Sequence, residues 1–407
     1  MNRQVLAGKT VLEIGTMLAA PFGAHILAQL GADVIKLEPP VGDPTRSLVR
    51  GGPSGTYIAY SRNKRSLCVD LASPQGREVL KRLLPTIDVV LHNLAPGAAR
   101  RLEMTYEDCA RCNPTVVYCH IRGYNEGPQS DDLASNPIAE AATGVMYSNR
   151  IDGRPSRLGP SYHDQFAGCY AVIGILAALL DPAAGPSNRK IEVGLYETGL
   201  HVGARDFAGV QLKTHLTGKP DQEPSGEFSM PGYGAYETAD ARWIYLVMLT
   251  DRHWSDFWSA LALKVDPDFA TLRQRKKQRA FVEAMVRDVV KQWRFEEIAA
   301  RLTARRFGFT EVLPMERVLK APQARHEGKV SRIVFQDLAF DIPELPFEGE
   351  RSVSAACPPP LLGEHTREIL SSLAYGQDEC DALVASGTVL VPTPGALLWA
   401  PSRTPNS

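Results

Sequence analysis

One carboxylate in this chain stands where it could act as a nucleophile. Asp164 lies in the stretch Gly159 to Leu180, GPSYHDQFAGCYAVIGILAALL, which opens with a Gly-Pro turn and continues as an apolar helix. We expect Asp164 at the helix N-cap, where backbone N–H groups and the positive end of the helix dipole favour its ionised form. Because most aspartates at such positions only cap a helix, the spacing by itself favours a structural role over a catalytic one.

The helix after Asp164 has a composition that permits close packing. Gly168, Gly174 and four alanines keep it slim, so a neighbouring backbone can approach it. Such a segment is typical of a helix buried on most sides rather than of an amphipathic surface helix. It is too short and too rich in glycine to indicate a membrane span.

A second group of reactive side chains falls in the first third of the chain. Cys109 and Cys112 have the spacing of one helix face, and Cys119 and His120 follow within an apolar, strand-like run. A zinc site of this type needs a second CxxC pair, which does not follow. We therefore expect no metal here. The seven cysteines are odd in number and scattered, which favours a reducing cytoplasm over a disulfide framework.

The composition is that of an ordinary globular protein. Of the 407 residues, 44% are hydrophobic and 22% charged, and 45 basic residues nearly balance 46 acidic ones. This balance argues against a nucleic-acid-binding surface, and the one dense basic run, at 273–279, is local. The uncharged stretch from Ile14 to Ala32 contains Pro21 and Gly23, which favour a strand and a short helix over a signal peptide. We expect a cytoplasmic protein without a membrane segment.

The elements that must position Asp164 alternate between strands and helices. We predict strands at Thr10–Ile14, Asp33–Leu37, Ser66–Leu71, Asp88–Leu91 and Thr115–Ile121, and helices at Pro21–Leu30, Ser73–Leu84 and Tyr106–Cys112. This alternation indicates an α/β fold with a Rossmann-like parallel sheet covered on both faces. The turn after the first strand, GTMLAAPFGAH, lacks the GxGxxG spacing, which argues against a conventional dinucleotide cofactor.

A change of composition marks a second domain. The segment from Lys219 to Tyr236 is rich in Pro, Gly, Ser and Glu, which is typical of a boundary with a mobile loop. A strand at Trp243–Leu249 and three helices between 254 and 303 then predict a smaller α+β domain. We divide the chain into a large α/β domain (1–218), the small domain (219–325) and a C-terminal segment that returns to the large domain (326–407). Its tail from Val391 is expected to be poorly ordered.

Five stretches, in order along the chain, resemble one known family. They are LAGKTVLEIGTMLAAPFGAHILAQLGADVIKLEPPVGDPTR, NKRSLCVDLASPQGREVLKRLLPTIDVVLHNLAPGAARRL, NPTVVYCHIRGYNEGP, HDQFAGCYAVIGILAAL and VLPMERVLKAPQARHEGKV. In these stretches, which span most of residues 6 to 330, the chain is similar to the class III CoA-transferases. That family includes formyl-CoA transferase and carnitine CoA-transferase.

The resemblance implies that Asp164 is the catalytic aspartate. In the family this carboxylate attacks the acyl-CoA carbonyl, an anhydride and then an aspartyl-CoA thioester form, and an acceptor acid takes over the CoA. A thiol of pKa about 8.5 is a good leaving group, which suits a weak carboxylate nucleophile. The resemblance also implies an interlocked homodimer, a CoA thioester as substrate and no tightly bound cofactor.

Further residues are implied in contacts with CoA or substrate. They are Met17, Leu18 and Ala19 after the first strand, Asn93, Leu94 and Arg101 after the fourth, Ser135 and Asn136 before the catalytic helix, and Gly232 and Gly234 in a short glycine loop. The alternatives are core packing for Met17–Ala19 and a hairpin entry for the two glycines. Arg101 suits a phosphate, because its charge is permanent and its donors form a fork. Lys36 and residues 62–65 are implied as neighbours of the nucleotide, with a solvated rim as the alternative.

Departures from the family pattern bear on the substrate. Leu18 replaces a glutamine of the formyl-CoA enzyme, which removes a polar partner for oxalate. Ser135 and Asn136 replace an aromatic–acidic pair, and this place also lacks the His-Asp motif with which related acyl-CoA racemases move an α-proton. His163 could substitute as a base only if it pointed with Asp164, and adjacent residues at a helix start diverge.

Several functions stay open at this level. The favoured one is CoA transfer to a carboxylic acid, such as a small branched or unsaturated diacid, with transfer between two carboxyls of one C5 diacid as a variant. An acyl-CoA racemase or epimerase of the same fold is the alternative from another reaction class. A non-catalytic CoA-binding subunit is the third, and the retained Asp164 argues against it.

Overall fold

The computed structural model describes residues 4–49, 52–181, 185–218, 230–335, 338–347 and 356–393. The chain divides into a larger unit, Met1–Ala204 with Glu327–Ser407, and a smaller unit, Arg205–His326. The domain boundaries expected from the sequence, at 218/219 and 325/326, stay predictions. Residues 219–229 of the expected loop and 394–407 of the expected tail lie outside the described residues.

The strands and helices of both units are numbered in chain order, and in the larger unit they mostly alternate. The strands are β1 (Thr10–Ile14), β2 (Asp33–Glu38), β3 (Lys64–Val69), β4 (Val89–His92), β5 (Val117–Arg122), β6 (Arg150–Ile151), β7 (Arg154–Pro155), β8 (Lys190–Gly194), β9 (Gly234–Glu237), β10 (Trp243–Leu246), β11 (Phe309–Glu311), β12 (Val330–Phe335), β13 (Leu338–Pro343) and β14 (Val389–Leu390). The helices are α1 (Ala19–Gln29), α2 (Gly55–Tyr60), α3 (Pro74–Leu83), α4 (Pro96–Arg101), α5 (Tyr106–Cys112), α6 (Asn136–Ala142), α7 (Val145–Ser148), α8 (Tyr162–Leu180), α9 (Pro186–Arg189), α10 (Leu195–Val202), α11 (Ala204–Thr217), α12 (Asp251–Ala260), α13 (Leu272–Lys277), α14 (Arg279–Val290), α15 (Phe295–Ala304), α16 (Met315–Val318), α17 (Pro322–Arg325), α18 (Thr366–Ser372) and α19 (Gln377–Ala385).

The larger unit is organised around a seven-stranded sheet. Its strand order is β14-β3-β2-β1-β4-β5-β8, in which the pairs from β3 to β8 are parallel and β14 pairs antiparallel with β3. Six parallel strands in this order confirm the Rossmann-like fold. The order reverses between β1 and β4, and open α/β sheets bind ligands in the crevice beyond the carboxyl ends of the strands at such a point.

Apolar helices cover both faces of this sheet, as the alternation predicted. On one face α1 and α8 pack on the strands through residues that include Leu27 and Ile175. On the other face α3 and α18 bury Val79, Leu83 and Ile369. Because the central strands are buried on both sides, their sequences are mostly apolar rather than alternating, with buried charges in β1 and β2 as the exceptions.

Helices α1 and α8 cross at a contact that requires small residues. A methyl group on Gly168 would lie 2.8 Å from the carbonyl oxygen of Ala19, and one on Gly23 would lie 3.1 Å from the carbonyl oxygen of Gly168. The close approach predicted from the small residues of α8 is therefore confirmed. The crossing sets the first turns of α8 beside the first turn of α1.

In the single chain α8 is not buried on most sides, so that prediction was wrong. Apolar side chains along one face are exposed, Phe166 to 41%, Ile173 to 60% and Leu180 to 80%. Their spacing of seven residues places them on one stripe, since α1 and the sheet cover only the other side. Among the described residues, α8 is the one helix whose length and composition could cross a membrane, a test that core helices also pass.

Replacing Gly168 by alanine is expected to destabilise the larger unit by about 1–3 kcal/mol, because the added methyl group would overlap backbone of α1. Gly209→Ala, in α11, is the control, since a methyl group there meets no atom within 4 Å. Alanine in an open helix position should raise stability by up to about 1 kcal/mol. Urea unfolding followed by circular dichroism measures both variants, and similar shifts in the two would contradict the contact.

The smaller unit combines an antiparallel sheet with helices. Its strand order is β11-β10-β9. Helices α12, α14 and α15 contribute to a core that includes Trp254, Phe257, Val286 and Ile298. This confirms the α+β class predicted for the region.

Candidate active site

The two loops that flank the crevice are joined by one side chain. Asn93, after β4, accepts a hydrogen bond from the Thr16 N–H (2.9 Å) and donates one to the Thr16 carbonyl (2.9 Å). Thr16 lies in the loop after β1, directly before Met17 and Leu18. The structure thus brings Asn93 to the Met17 loop, as a residue that positions it.

Met17 has a strained backbone at the mouth of this crevice. Its φ is +62°, in the left-handed region, which costs a non-glycine residue about 1–3 kcal/mol and is over-represented at functional sites. Its side chain is 45% exposed. Leu18 is the N-cap residue of α1, and Ala19 is buried at the start of that helix. The core-packing alternative explains the position of Ala19, but it does not explain the exposed side chain and positive φ of Met17.

Buried charges support this loop from the side of the sheet. Lys36 Nζ donates to the Gly15 carbonyl (2.8 Å), to Glu13 (2.9 Å) and to Asp43 (2.9 Å). Burial alone would lower the pKa of Lys36, but the charges of Glu13 and Asp43 outweigh it and raise that pKa. Lys36 is therefore a charged brace that holds the first residue of the loop.

A second buried lysine braces the start of α1. Lys64 Nζ donates to the other oxygen of Glu13 (2.6 Å) and to the Pro21 carbonyl (2.9 Å). Burial lowers the pKa of Lys64 to about 8, because the contact with Glu13 only partly offsets its desolvation. One carboxylate thus serves two lysines from neighbouring strands.

The solvated-rim alternative was wrong for three of these cations, whereas Arg65 is partly exposed and pairs with Asp33 and Glu368. Lys36, Lys64 and Arg62 are all buried. Arg62 donates to Glu344 (2.7 Å) and to the Pro343 carbonyl (2.8 Å), both in the C-terminal segment. These three buried cations hold the protein together and have no face toward solvent.

Two buried imidazoles hold Leu94 in the loop after β4. The Leu94 N–H donates to His92 Nδ1 (3.3 Å), and His120 Nε2 donates to the Leu94 carbonyl (2.8 Å). The two rings stack with centroids 4.2 Å apart. Burial lowers the pKa of both imidazoles, so they stay neutral. The loop is therefore organised before any ligand arrives.

Asp164 lies in the first turn of α8. The N-cap is Ser161, so the N-cap position expected for Asp164 was wrong by three residues. Helix α8 leads into β8, which is parallel to β5, and a helix in such a crossover runs against the strands with its N-terminus at their carboxyl edge. The contact between Gly168 and Ala19 gives the same position. Asp164 and the Met17 loop therefore share the edge where the crevice opens.

Asn136 connects Asp164 to a buried carboxylate. Its Oδ1 accepts the N–H of Asp164 (3.2 Å), and its Nδ2 donates to Glu140, one turn later in α6. Glu140 is fully buried, and its Oε2 lies 3.7 Å from the Nε of Arg157. Glu140 and Arg157 were not among the site residues predicted from the sequence. The one signal for Glu140 was a charged residue within the otherwise uncharged run of α6.

These surroundings change the acidity of the nucleophile. The pKa of Asp164 is raised to about 6, chiefly by burial; the Arg157 cation opposes this shift and the Glu140 charge adds to it. At neutral pH the carboxylate is ionised but poorly solvated. Such a group is more basic than an ordinary aspartate, which favours nucleophilic attack.

His163 is occupied by neighbours other than Asp164. Its Nε2 lies 3.2 Å from Thr143 Oγ1, which itself donates to the Ala139 carbonyl (2.7 Å). A Cβ on Gly199 of α10 would lie 2.5 Å from the same nitrogen, so the ring packs tightly there. Burial also lowers the pKa of His163. The geometry gives no support to His163 as a substitute base.

Arg101 and Ser135 lie at the surface. Arg101 is exposed at the end of α4, with a terminal nitrogen 3.6 Å from where a Cβ on Gly97 would lie. Arg100, which could have taken its place in the register, lies 3.7 Å from Asp131 instead. Ser135 is exposed at the start of α6. Arg101 therefore keeps a solvent-facing guanidinium that a phosphate can reach.

The two glycines of the predicted glycine loop belong to the smaller unit. Gly232 is buried, and a methyl group on it would lie 2.9 Å from Met248 Sδ and 3.2 Å from Trp254. Gly234 is the first residue of β9. These positions fit the hairpin-entry alternative.

Four of the seven cysteines are buried, and Cys357 is exposed. Cys109 and Cys119 lie in the two cores of the larger unit, and burial raises the pKa of both thiols. Among the residues that the structure describes, no group of three or more His, Cys, Asp and Glu is placed to hold a metal ion.

Comparison with known proteins identifies the family. Residues 6–366 match CoA-transferase family III. A succinyl-CoA–D-citramalate CoA-transferase of Chloroflexus aurantiacus is 30% identical over 89% of this chain and 92% of that protein. A formyl-CoA:oxalate CoA-transferase of Streptomyces coelicolor is 27% identical over 96% of this chain and 100% of that protein. The crystal structure of a CAIB/BAIF family protein from Brucella suis superposes with a TM-score of 0.80 at 25% identity, over 92% of this chain and 100% of that one. The chain belongs to CoA-transferase family III.

Proposed function

We propose that this protein transfers CoA from an acyl-CoA thioester to a carboxylic acid, with Asp164 as a covalent nucleophile. The observation that supports this most directly is a half-buried carboxylate at the edge of the crevice, beside the strained Met17 loop. The names of the two relatives supply the substrate class, since each transfers CoA between an acyl-CoA and an acid.

The reaction needs no redox step and no net proton transfer. The Asp164 carboxylate attacks the thioester carbonyl, the C–S bond breaks, and CoA leaves as thiolate from a mixed anhydride. The thiolate then attacks the aspartyl carbonyl and expels the donor acid as a carboxylate, which leaves an aspartyl-CoA thioester. The acceptor carboxylate repeats these two steps in reverse, so that a new acyl-CoA departs and Asp164 is regenerated.

The crevice supplies what this sequence of attacks requires. The first N–H groups of α1 lack partners within the helix, and they are suited to stabilise the oxyanion of each tetrahedral intermediate. Asn93 and the two buried lysines hold the loop that leads into α1. A rigid loop keeps the reacting groups aligned. Their translational and rotational entropy is then lost on binding rather than in the reaction step, which lowers the barrier.

Most of the other implied residues keep proposed roles around CoA. We propose that Met17, Leu18 and Ala19 line the thioester, that Asn93, Leu94 and Arg101 lie along CoA, and that Ser135 and Asn136 face the acyl group. Arg101 is the best candidate for a phosphate contact, because its guanidinium is exposed. CoA enters as a substrate thioester rather than as a tightly bound cofactor.

Two variants of the reaction are distinguished by the acceptor. Transfer between the two carboxyls of one C5 diacid uses the same steps but needs no free acid. Racemisation needs instead a paired acid and base at the α-carbon. Asn136 stands where related racemases have the acid of their His-Asp motif, and His163 is hydrogen-bonded to Thr143. These two residues therefore favour transfer over racemisation.

We further propose an interlocked homodimer in the cytoplasm. The exposed stripe of Phe166, Ile173 and Leu180 on α8 supports a partner chain, because exposed apolar surfaces of this kind mark interaction sites. The cytoplasmic location is supported by the odd, scattered set of seven cysteines.

Trapping the intermediate tests the function. Succinyl-CoA, formyl-CoA and other thioesters are incubated with the purified chain, which is then examined by intact-protein mass spectrometry and, after hydroxylamine, by peptide mapping. We expect a CoA-sized adduct, and a hydroxamate after hydroxylamine, on Asp164. The absence of any adduct together with solvent deuterium at the α-carbon would establish the racemase instead.

The same adduct reports the ionisation of Asp164. Below the pKa of about 6, the rate of adduct formation should fall about tenfold per pH unit, since only the carboxylate attacks. Above pH 7 the rate should level off. A flat profile down to pH 4 would mean that another group forms the adduct.

A further inference from the structure

A half-exposed cation stands beside the proposed nucleophile without a role in the steps above. Arg157 is 45% exposed, and its Nε lies 3.7 Å from Glu140 Oε2. Its charge acts directly on Asp164. Within the described part of the chain, its two terminal nitrogens donate no hydrogen bond.

The backbone and the inner edge of Arg157 are held in place. Asn149 Nδ2 donates to the Arg157 carbonyl (2.8 Å) and to the Ser156 carbonyl (3.1 Å), which fixes the segment between β7 and α8. Glu140 Oε2 is buried and accepts no hydrogen bond, so the Nε edge of Arg157 is its nearest charge partner. This contact engages only the Nε edge of the guanidinium, and the side chain stays 45% exposed.

Glu140 is itself coupled to the nucleophile. Asn136 bonds Glu140 Oε1 through its Nδ2 and the Asp164 N–H through its Oδ1. Glu140 is thus linked through Asn136 to the backbone of Asp164 and lies beside the guanidinium of Arg157. A fully buried carboxylate is costly unless it is paired, and Arg157 supplies the cation.

The proposed reaction poses an electrostatic problem at this place. The acceptor carboxylate attacks the aspartyl-CoA thioester and expels CoA as thiolate, so negative charge gathers at a place where like charges repel strongly because water is excluded. A guanidinium offers paired donors that match one carboxylate.

We propose that Arg157 binds the reacting carboxylate of the acceptor acid, with Glu140 as the positioning residue that aims it. This inference rests on the proposed CoA-transferase function. One oxygen of the acid is held by the outer guanidinium nitrogens, and the other is directed at the aspartyl carbonyl. Acceptors are therefore ionised acids, with one carboxyl or two, and their amides and methyl esters are not bound. By reversibility the same group receives the departing donor acid.

Steady-state kinetics of Arg157→Met in the full chain tests this. Loss of a charged hydrogen-bonding group should raise the KM for the acceptor acid by about 10- to 100-fold, and the KM for the acyl-CoA should change by less than about threefold. Arg157→Lys should recover part of the loss, because it restores the charge without the fork. Arg154→Met, an exposed arginine in the neighbouring strand β7, is the matched control and should behave as wild type.

A double-mutant cycle tests the part played by Glu140. Glu140→Gln keeps an acceptor for Asn136 and removes the charge that aims Arg157, so it should raise the acceptor KM by about three- to tenfold. The double variant should be no worse than Arg157→Met alone, since both changes act through one guanidinium. Additive losses would show that Glu140 acts elsewhere.

The outcomes separate this inference from the function on which it rests. An Asp164 adduct in Arg157→Met together with an unchanged acceptor KM overturns the role of Arg157 and leaves the transferase intact. A wild-type chain that forms no adduct with any thioester overturns both. Equal rises in the KM for acid and acyl-CoA would indicate a general distortion of the site, and would likewise overturn a specific contact.

Discussion

Asp164→Asn is expected to lower kcat by at least about 10⁴-fold, the scale seen when an enzyme loses its covalent nucleophile. An amide at this position cannot form the anhydride or the aspartyl-CoA thioester, so the variant should also give no CoA-sized adduct. Both the thioester exchange rate and intact mass measure the effect. Retention of more than about 1% of wild-type activity would exclude the covalent mechanism.

The stability of this variant should move in the other direction. The folded chain raises the pKa of Asp164 above its ordinary value, so at neutral pH the ionised carboxylate works against folding. The neutral amide removes that penalty, and the melting temperature should be equal to or above that of the wild type. Active sites commonly lower the stability of the folded protein in this way, because the reactive group is held where its charge is poorly solvated.

Asp378→Asn is the matched control for Asp164→Asn. Asp378 is exposed in the first turn of α19, one position nearer the helix start than Asp164 is in α8. It lacks the burial and the neighbours of Asp164. We expect wild-type kinetics and a slightly lower stability, because an exposed first-turn aspartate interacts favourably with the helix dipole. A loss of activity in this control would mean that the assay reports folding rather than chemistry.

Glu13→Gln is expected to destabilise the larger unit by about 3–5 kcal/mol, because it leaves the buried charges of Lys36 and Lys64 without their shared partner. The Lys64 ammonium, with its pKa already lowered to about 8, should lose its proton at neutral pH and so limit the cost. The Met17 loop should also be held less firmly, because Glu13 positions the two lysines that donate to the Gly15 and Pro21 carbonyls. We therefore expect adduct formation at Asp164 to slow in the folded variant.

Glu78→Gln provides the comparison for Glu13→Gln. Glu78 is exposed and pairs with Arg82 one turn away in α3 (3.4 Å). An exposed pair of this type contributes about 0.3–0.5 kcal/mol, so the variant should unfold almost as the wild type does. Urea unfolding followed by far-ultraviolet circular dichroism measures both. Equal midpoints for the two variants would mean that the buried network adds nothing to stability.

Local patterns predicted the elements that support the site. The mostly apolar strands β1, β2 and β4 could be predicted from the sequence, and so could the helix start at Ser73-Pro74, where the Ser73 hydroxyl accepts the Gly76 N–H. Both patterns depend only on neighbours in sequence. The two-residue strand β14 was not predicted, since Val389–Leu390 is too short to show a period. Val389 and Leu390 form a strand only because they pair with β3 at the edge of the parallel sheet.

The Asp164 region shows where local reasoning fails. The small residues of α8 correctly predicted a close crossing, but their apolar character was mistaken for burial on most sides. Whether Ile173 or Leu180 is covered depends on what packs there, and the single chain leaves both exposed. The N-cap was misplaced because Ser161 and Asp164 are both suitable caps in sequence.

The sequence by itself determined the order of strands and helices, the family resemblance and the identity of the proposed nucleophile, because each is written in local spacing or in ordered motifs. Only the tertiary structure decided which charges meet. Glu13 faces Lys36 because β1 and β2 pair in that register, and Lys64 joins them from a third strand. Glu140 and Arg157 meet because two separate segments converge on the start of α8. Pairings of this kind depend on register and topology, as does the burial that chiefly raises the pKa of Asp164.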